Sequence, residues 1–230
     1  MDYLTEGLVE ALRMILAFDR EFISIVGVSL KVSMTSTALA AALAVPGGIA
    51  LAVARFRGRQ AVITLINTLM SMPTVVIGLL VYSLISRQGP LGGFGLLYTQ
   101  TAMVAGQTLL AFPIITGLVL AAIADMDRRV LATAAALGAD RRQGFRALLR
   151  EARFGIQAAM VAGFGRVFAE VGISMMLGGN IRGYTRNITT AITLETSKGQ
   201  FALGLALGLV LLTVALGVNV ALELMRRREG

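Results

Sequence analysis

Of the 230 residues, 56% are hydrophobic and only 15% are charged, against ~45–50% and about 25% in soluble domains. The net charge of +8 would alone suggest a polyanionic partner, but the basic residues concentrate at positions 55–59, 128–153 and 226–228, each beside an apolar run. That is the positive-inside pattern of a membrane protein, in which Lys and Arg set orientation. With no Cys and no His, disulfides, thiolate or imidazole metal sites, cysteine nucleophiles and imidazole bases are excluded.

Residues 1–22 place Leu4, Leu8, Leu12 and Ile15 on one helical face. Glu6, Glu10 and Arg13 make a crossing too costly, so this segment is expected to be an interfacial helix along the membrane or a helix packed on the outside of the bundle. Residues 23–225 are expected to form one transmembrane domain of five spans. The first, 24–54, is longer than a bilayer requires, and Pro46-Gly47-Gly48 offers a bend. The second, 61–86, is interrupted by Pro73 and leads into a Gly-rich loop over 88–98. The third, 99–124, contains Pro113. A basic stretch follows over 125–153, then a fourth span over 156–177, a polar segment over 178–200, a fifth span over 201–225 and a basic tail, 226–230. The three basic clusters follow the first, third and fifth spans. The charge rule therefore puts the N-terminus outside and the C-terminus in the cytoplasm.

The 125–153 stretch reads as two helices broken once. Asp127 is placed to cap the first, and residues 130–137 are rich in Ala and Leu, which favour helix. Gly138 is placed to end it in a left-handed conformation. Asp140 and Gln143 have capping-box spacing and start the second, where Phe145, Leu148 and Leu149 form an apolar stripe against a basic face. Such a helix-Gly-helix either docks on a protein partner or lies on the lipid surface through its arginines. No G-x-x-x-x-G-K-[ST] loop is present. ATP, if used, is hydrolysed on another subunit.

Arg166 and Glu170 fall inside the fourth span, one helical turn apart. A lone Arg at the bilayer centre costs ~2.5–3.5 kcal/mol on insertion scales, so both are expected to face protein or water. They read as an ion pair holding helices together, with direct contact to cargo as the alternative. Asn67, Thr68, Ser71 and Thr74 around Pro73, with Gln107, Thr108 and Thr116 around Pro113, are neutral donors beside prolines that free backbone carbonyls. They suit the wall of a hydrated path, or alternatively satisfy carbonyls between helices. Gly204 and Gly208 make a small-xxx-small pair suited to helix packing.

The segment from Ala132 to Gly138, followed by Ala139 and Asp140, resembles the EAA loop of ABC importer permeases. Gly138 and its spacing to Leu148 match, while Ala132 and Thr133 stand where that pattern begins with Glu and Ala, and Arg150 and Glu151 replace its final Leu-Pro. Gly165-Arg166-Val167-Phe168-Ala169-Glu170-Val171-Gly172, with the turn over 178–186 and the stretch 185–199, resembles the molybdate and tungstate branch, nearest the tungstate type. The resemblance covers residues 24–225. It implies an all-α type I permease fold with five transmembrane helices and a cytoplasmic coupling loop. Val130, Ala134, Ala135, Leu137, Gly138, Ala139, Asp140, Phe145 and Leu148 would form that loop, and Asn180, Thr185 and Glu195 would belong to the outer segment. It also implies a homodimer, ATPase subunits carrying ATP and Mg, and an extracytoplasmic solute-binding protein, in a cell membrane.

On this reading the chain catalyses nothing and moves a tetrahedral oxyanion, tungstate or molybdate. Sulfate, phosphate or an amino acid are alternative cargoes. A secondary transporter would need more buried acids than Glu170, and a membrane-embedded enzyme would need ligand or base clusters that the sequence lacks.

Overall fold

The computed structural model describes residues 20–126, 133 and 136–228. Eight α-helices are formed among them: α1 Arg20–Val53, α2 Arg59–Met70, α3 Thr74–Ile85, α4 Gln100–Ala124, α5 Arg141–Phe168, α6 Gly172–Gly178, α7 Ile188–Ser197 and α8 Phe201–Arg228. The helices α1, α4 and α8 are long and apolar enough to cross a membrane singly. The pairs α2–α3 and α5–α6 each qualify as one crossing, bent by 98° and 60°. Most of residues 1–22 lie outside the described residues, so the interfacial helix does too. Arg20, Glu21 and Phe22 open α1.

Small residues along α1 let α4 approach it. Ser29, Val32, Ser36, Ala40, Ala44 and Gly48 form one buried stripe at helical spacing. A Cβ at Gly48 would lie 2.8 Å from the Thr116 carbonyl oxygen, and the Ser36 hydroxyl is 3.3 Å from Gln107 Oε1. Both contacts advance in the same sense, so α1 and α4 run parallel. In contrast, Gly155 faces Ala122 while Gly178 faces Met103, so α5–α6 runs against α4. Alternating directions are what successive crossings require. The apolar core follows the same layout: Ala40, Ala44, Ala111, Ile115, Val119, Ala159 and Val167 join α1, α4 and α5. Leu39, Leu43, Leu79, Leu80, Leu212 and Leu216 remain exposed on the outside, a surface suited to lipid.

The two prolines expected to disturb α1 and α4 do not interrupt them: Pro46 and Pro113 both sit within continuous helix. Pro73 does end a helix. It removes an N–H and disfavours helical backbone at Met72. The α2 terminus closes through Ser71 N–H to the Thr68 carbonyl at 3.1 Å and Met72 N–H to that of Leu69 at 3.2 Å. Arg59, from the first basic cluster, turns back and donates from Nε to the Leu51 carbonyl at 2.7 Å, satisfying the end of α1.

The fourth span corrects the sequence reading. The loop helix expected to start at Asp140 and the span expected to start at 156 are one continuous helix. The Asp140–Gln143 capping box starts α5, both of its hydrogen bonds measuring 2.8 Å. Neither Gly144 nor Gly155 stops it, so one helix of 28 residues runs from the basic loop into the bundle. It ends at Phe168, not at 177; a new helix follows from Gly172, and the Glu170 carboxylate between the two accepts from the Ile173 N–H. Of the packing pair expected on the fifth span, Gly204 approaches Thr196 Oγ1, at 3.2 Å from a Cβ placed there, whereas Gly208 meets nothing within 4 Å.

Candidate functional site

Two broken crossings meet beside Gly172. A Cβ built there would lie 3.3 Å from Glu170 Oε1 and 3.6 Å from Thr74 Oγ1. The break between α2 and α3 therefore adjoins the break between α5 and α6. Each break releases backbone groups from helix hydrogen bonding, which within a membrane is tolerated only against protein or a water-filled cavity.

The second break is built around Glu170. Its side chain is 4% exposed, and its Oε2 accepts from Arg166 Nη1 at 2.9 Å. Oε1 accepts from the Ile173 backbone N–H at 3.2 Å, meeting an unpaired donor in the first turn of α6. The expected ion pair is thus present, with Glu170 in the break, not within a continuous helix. Its main chain is equally engaged: the carbonyl oxygen lies 2.8 Å from Thr189 Oγ1 and 3.3 Å from Ser174 Oγ.

Ser174 sits at the centre of a buried polar network. Its hydroxyl accepts from Gln107 Nε2 at 3.0 Å and from Asn187 Nδ2 at 2.9 Å. With its proton directed to the Glu170 carbonyl, both lone pairs and the proton are used. Asn187 also caps α7, its Oδ1 accepting from the Thr190 N–H at 2.9 Å, while Thr190 Oγ1 accepts from the Asn187 N–H at 3.1 Å. Ser29 on α1 accepts from the Ile188 N–H at 2.7 Å. Four helices and the Glu170 turn are joined by bonds whose sequence separations reach 159 residues. Ser29 and Ser174 were not singled out from sequence, and Asn187 and Thr189 entered only within the stretch 185–199 that carries the resemblance. The spacing Asn187-Ile188-Thr189-Thr190 carries a capping signal, whereas nothing local connects Ser174 to Gln107.

The seven polar candidates for a path wall, with Pro73, divide into two groups. Asn67, Thr68, Ser71 and Pro73 are exposed and Thr74 is partly so, all at the first break. Gln107 and Thr116 are buried. Gln107 belongs to the network, and Thr116 donates to the Phe112 carbonyl of its own helix at 2.7 Å. Thr108, partly exposed, donates to the Val104 carbonyl at 2.7 Å. In the second group, Gln107 bonds across helices, whereas Thr108 and Thr116 bond to carbonyls of α4 itself.

In the outer segment, Thr185 Oγ1 donates to the Gly178 carbonyl at 2.5 Å and accepts from the Ile181 N–H at 3.0 Å, fixing the turn. Asn180 has a positive φ of 51° and donates to the Thr190 carbonyl at 3.5 Å. Glu195 is paired with Lys198 at 3.0 Å and lies 4.0 Å from Arg186. Glu21 bridges to Arg182, and to Arg186 at 3.2 Å, tying the start of α1 to this turn. A mostly apolar cleft nearby is lined by Leu79, Tyr82, Tyr98, Met175 and Ile181. A hydrogen bond with Tyr82, followed by its charge and by desolvation, pushes the Tyr98 phenol above its ordinary range.

In the basic loop before α5, Gly138 adopts φ +81° as expected, and Leu137 is 83% exposed. Phe145 is also exposed, whereas Leu148 is buried against α1 and α4 and anchors α5. Val130, Ala134 and Ala135 lie outside the described residues, and Ala139 and Asp140 complete the turn into α5. No cluster of three or more acids suited to a metal occurs among the described residues.

Five crossings in alternating directions, two of them broken, with a helix-entry loop on the basic side, define the fold of a type I ABC importer permease. A chain of a bacterial alginate ABC transporter, crystallised with its alginate pentasaccharide-bound periplasmic protein, matches with a TM-score of 0.75 at 20% identity, covering 99% of this chain and 88% of that one. The chain belongs to the family of inner membrane components of binding-protein-dependent transport systems, whose profile matches residues 44–229. It is similar to the tungstate uptake system permease protein TupB of Peptoclostridium acidaminophilum, 38% identical over 96% of this chain and 97% of the relative. It is also similar to a probable anion ABC transporter permease protein of Haloferax volcanii, 42% identical over 86% and 87%. It is accordingly a multi-pass membrane permease subunit.

Proposed function

We propose that this chain forms half of the translocation path of an ATP-driven importer for a tetrahedral oxyanion, tungstate or molybdate. The observation that carries the reading is the match along nearly the whole chain to a tungstate uptake permease. Two copies enclose one path, an extracytoplasmic binding protein delivers the anion, and separate ATPase subunits holding ATP and Mg hydrolyse the nucleotide. The N-terminus lies outside and the C-terminus in the cytoplasm. The exposed polar face at the first break, Asn67, Thr68, Ser71 and Thr74, supplies neutral donors that replace hydration without holding the anion too tightly. The outer turn with Asn180, Thr185 and Glu195 faces the binding protein.

Leu137, Gly138 and Phe145 contact the ATPase, and motion passes directly into the bundle because α5 is continuous from Arg141 to Phe168. The test is Gly138→Val. A Cβ at Gly138 meets nothing within 4 Å, so the strain is that of the left-handed backbone, roughly 1–2 kcal/mol. Membrane insertion should be retained, while ATPase co-purification and anion-stimulated hydrolysis fall. Arg87→Ala, at the outer face, is the control. Normal assembly and hydrolysis by the Gly138 variant would remove this loop from coupling.

A further inference from the structure

We propose that Arg166 is a cationic contact for the transported anion on the wall of the path, held in place by Glu170. This rests on the importer reading above. At ~1.5 Å per residue from 156, where the apolar span begins, Arg166 lies about 15 Å along α5, near the middle of a core roughly 30 Å thick. Yet 43% of its side chain is exposed. A guanidinium turned to lipid at that depth is strongly disfavoured, so its open face meets water or protein.

The surroundings leave room for a ligand. Ala158, Ala162, Gly165 and Ala169 share the exposed face of α5 with Arg166, and a Cβ at Gly165 would meet nothing within 4 Å. The charges are disposed unequally. Glu170 is buried, with one oxygen on the Ile173 N–H and the other on Arg166 Nη1. Its negative charge is therefore turned into the protein. A guanidinium carries five N–H donors, and Glu170 takes one of them. The rest suit a tetrahedral dianion, which guanidinium binds through paired N–H bonds. Glu170 fixes the rotamer and offsets part of the charge, so the anion is attracted without being trapped. Thr74 of the first break lies beside the Glu170 carboxylate that holds this cation, both within 3.6 Å of a Cβ placed at Gly172.

The experiment uses the full complex with its ATPase and binding protein in proteoliposomes. Arg166→Gln combined with Glu170→Gln removes both charges while retaining a hydrogen-bonding pair, so the break is not left with a stranded carboxylate. Losing one charge-assisted contact corresponds to about tenfold or more, and tungstate uptake by the double variant should fall by about that factor. Arg166→Lys should retain most of the uptake. Because the chain has no Cys, Arg166→Cys in the Glu170→Gln background provides a second readout. It should react with a water-soluble cationic thiol reagent, and tungstate-loaded binding protein with ATP should slow that reaction. Parent-like uptake by the double glutamine variant, or a cysteine that reacts only with membrane-soluble reagents, would overturn the inference. Loss of assembly by the lysine and glutamine variants alike would make Arg166 structural and also overturn it. A parent complex that accumulates no tetrahedral oxyanion would instead fault the importer reading.

Discussion

The two broken crossings are held in opposite ways. The break between α2 and α3 is set by Pro73, lies on an exposed face, and has no side-chain cap on α3. The break between α5 and α6 contains no proline. It is set by Glu170, Ser174, Asn187 and Thr189, all buried and bonded to one another and, through Ser174, to Gln107 on α4. A covalent restriction makes a break that needs little from its neighbours. A polar network makes one that depends on every neighbour, because each buried group left unpaired incurs a desolvation penalty. The first suits a surface that changes its contacts during transport, and the second a fixed support for a charged side chain.

The largest effect should come from stranding the buried acid. Arg166→Met leaves the Glu170 carboxylate inside the protein without its cation, at about 3 kcal/mol by analogy with broken buried pairs. The thermal midpoint in detergent should drop, and adding Glu170→Gln should recover much of the loss. Equal stability of the single and double variants would show that the second break does not depend on this pair.

Pro73→Ala should have the smallest effect on stability, within about 0.5 kcal/mol, as for exposed substitutions away from buried networks. Its effect should appear in transport, because the exposed donors on either side would lose their fixed angle. A fall in thermal midpoint as large as that of Arg166→Met would erase the distinction between the two breaks.

Local signals were legible in sequence and distant partnerships were not. The crossing at α4 is an unbroken apolar run, and the start of α5 follows from Asp140 and Gln143 at capping spacing. Arg166 and Glu170 were readable as a pair because the helix sets them one turn apart. The end of α5 at Phe168 was not readable, since no proline precedes it and the cause is a side chain reaching forward to the Ile173 N–H. The same limit separates Gln107 from its neighbours at the first break. Proline proximity suggested a path wall, but its actual partners are Ser36 and Ser174, 71 and 67 residues away. Pro46 and Pro113 show that proline alone does not predict a break, because both lie in continuous helices.

The most direct test of the account is tungstate uptake by the permease reconstituted with its ATPase and binding protein in sealed vesicles. With the binding protein outside and ATP inside, tungstate should accumulate against its gradient, and omission of either component should abolish accumulation. Accumulation that persists without ATP but follows an ion gradient would contradict the assignment and identify a secondary transporter.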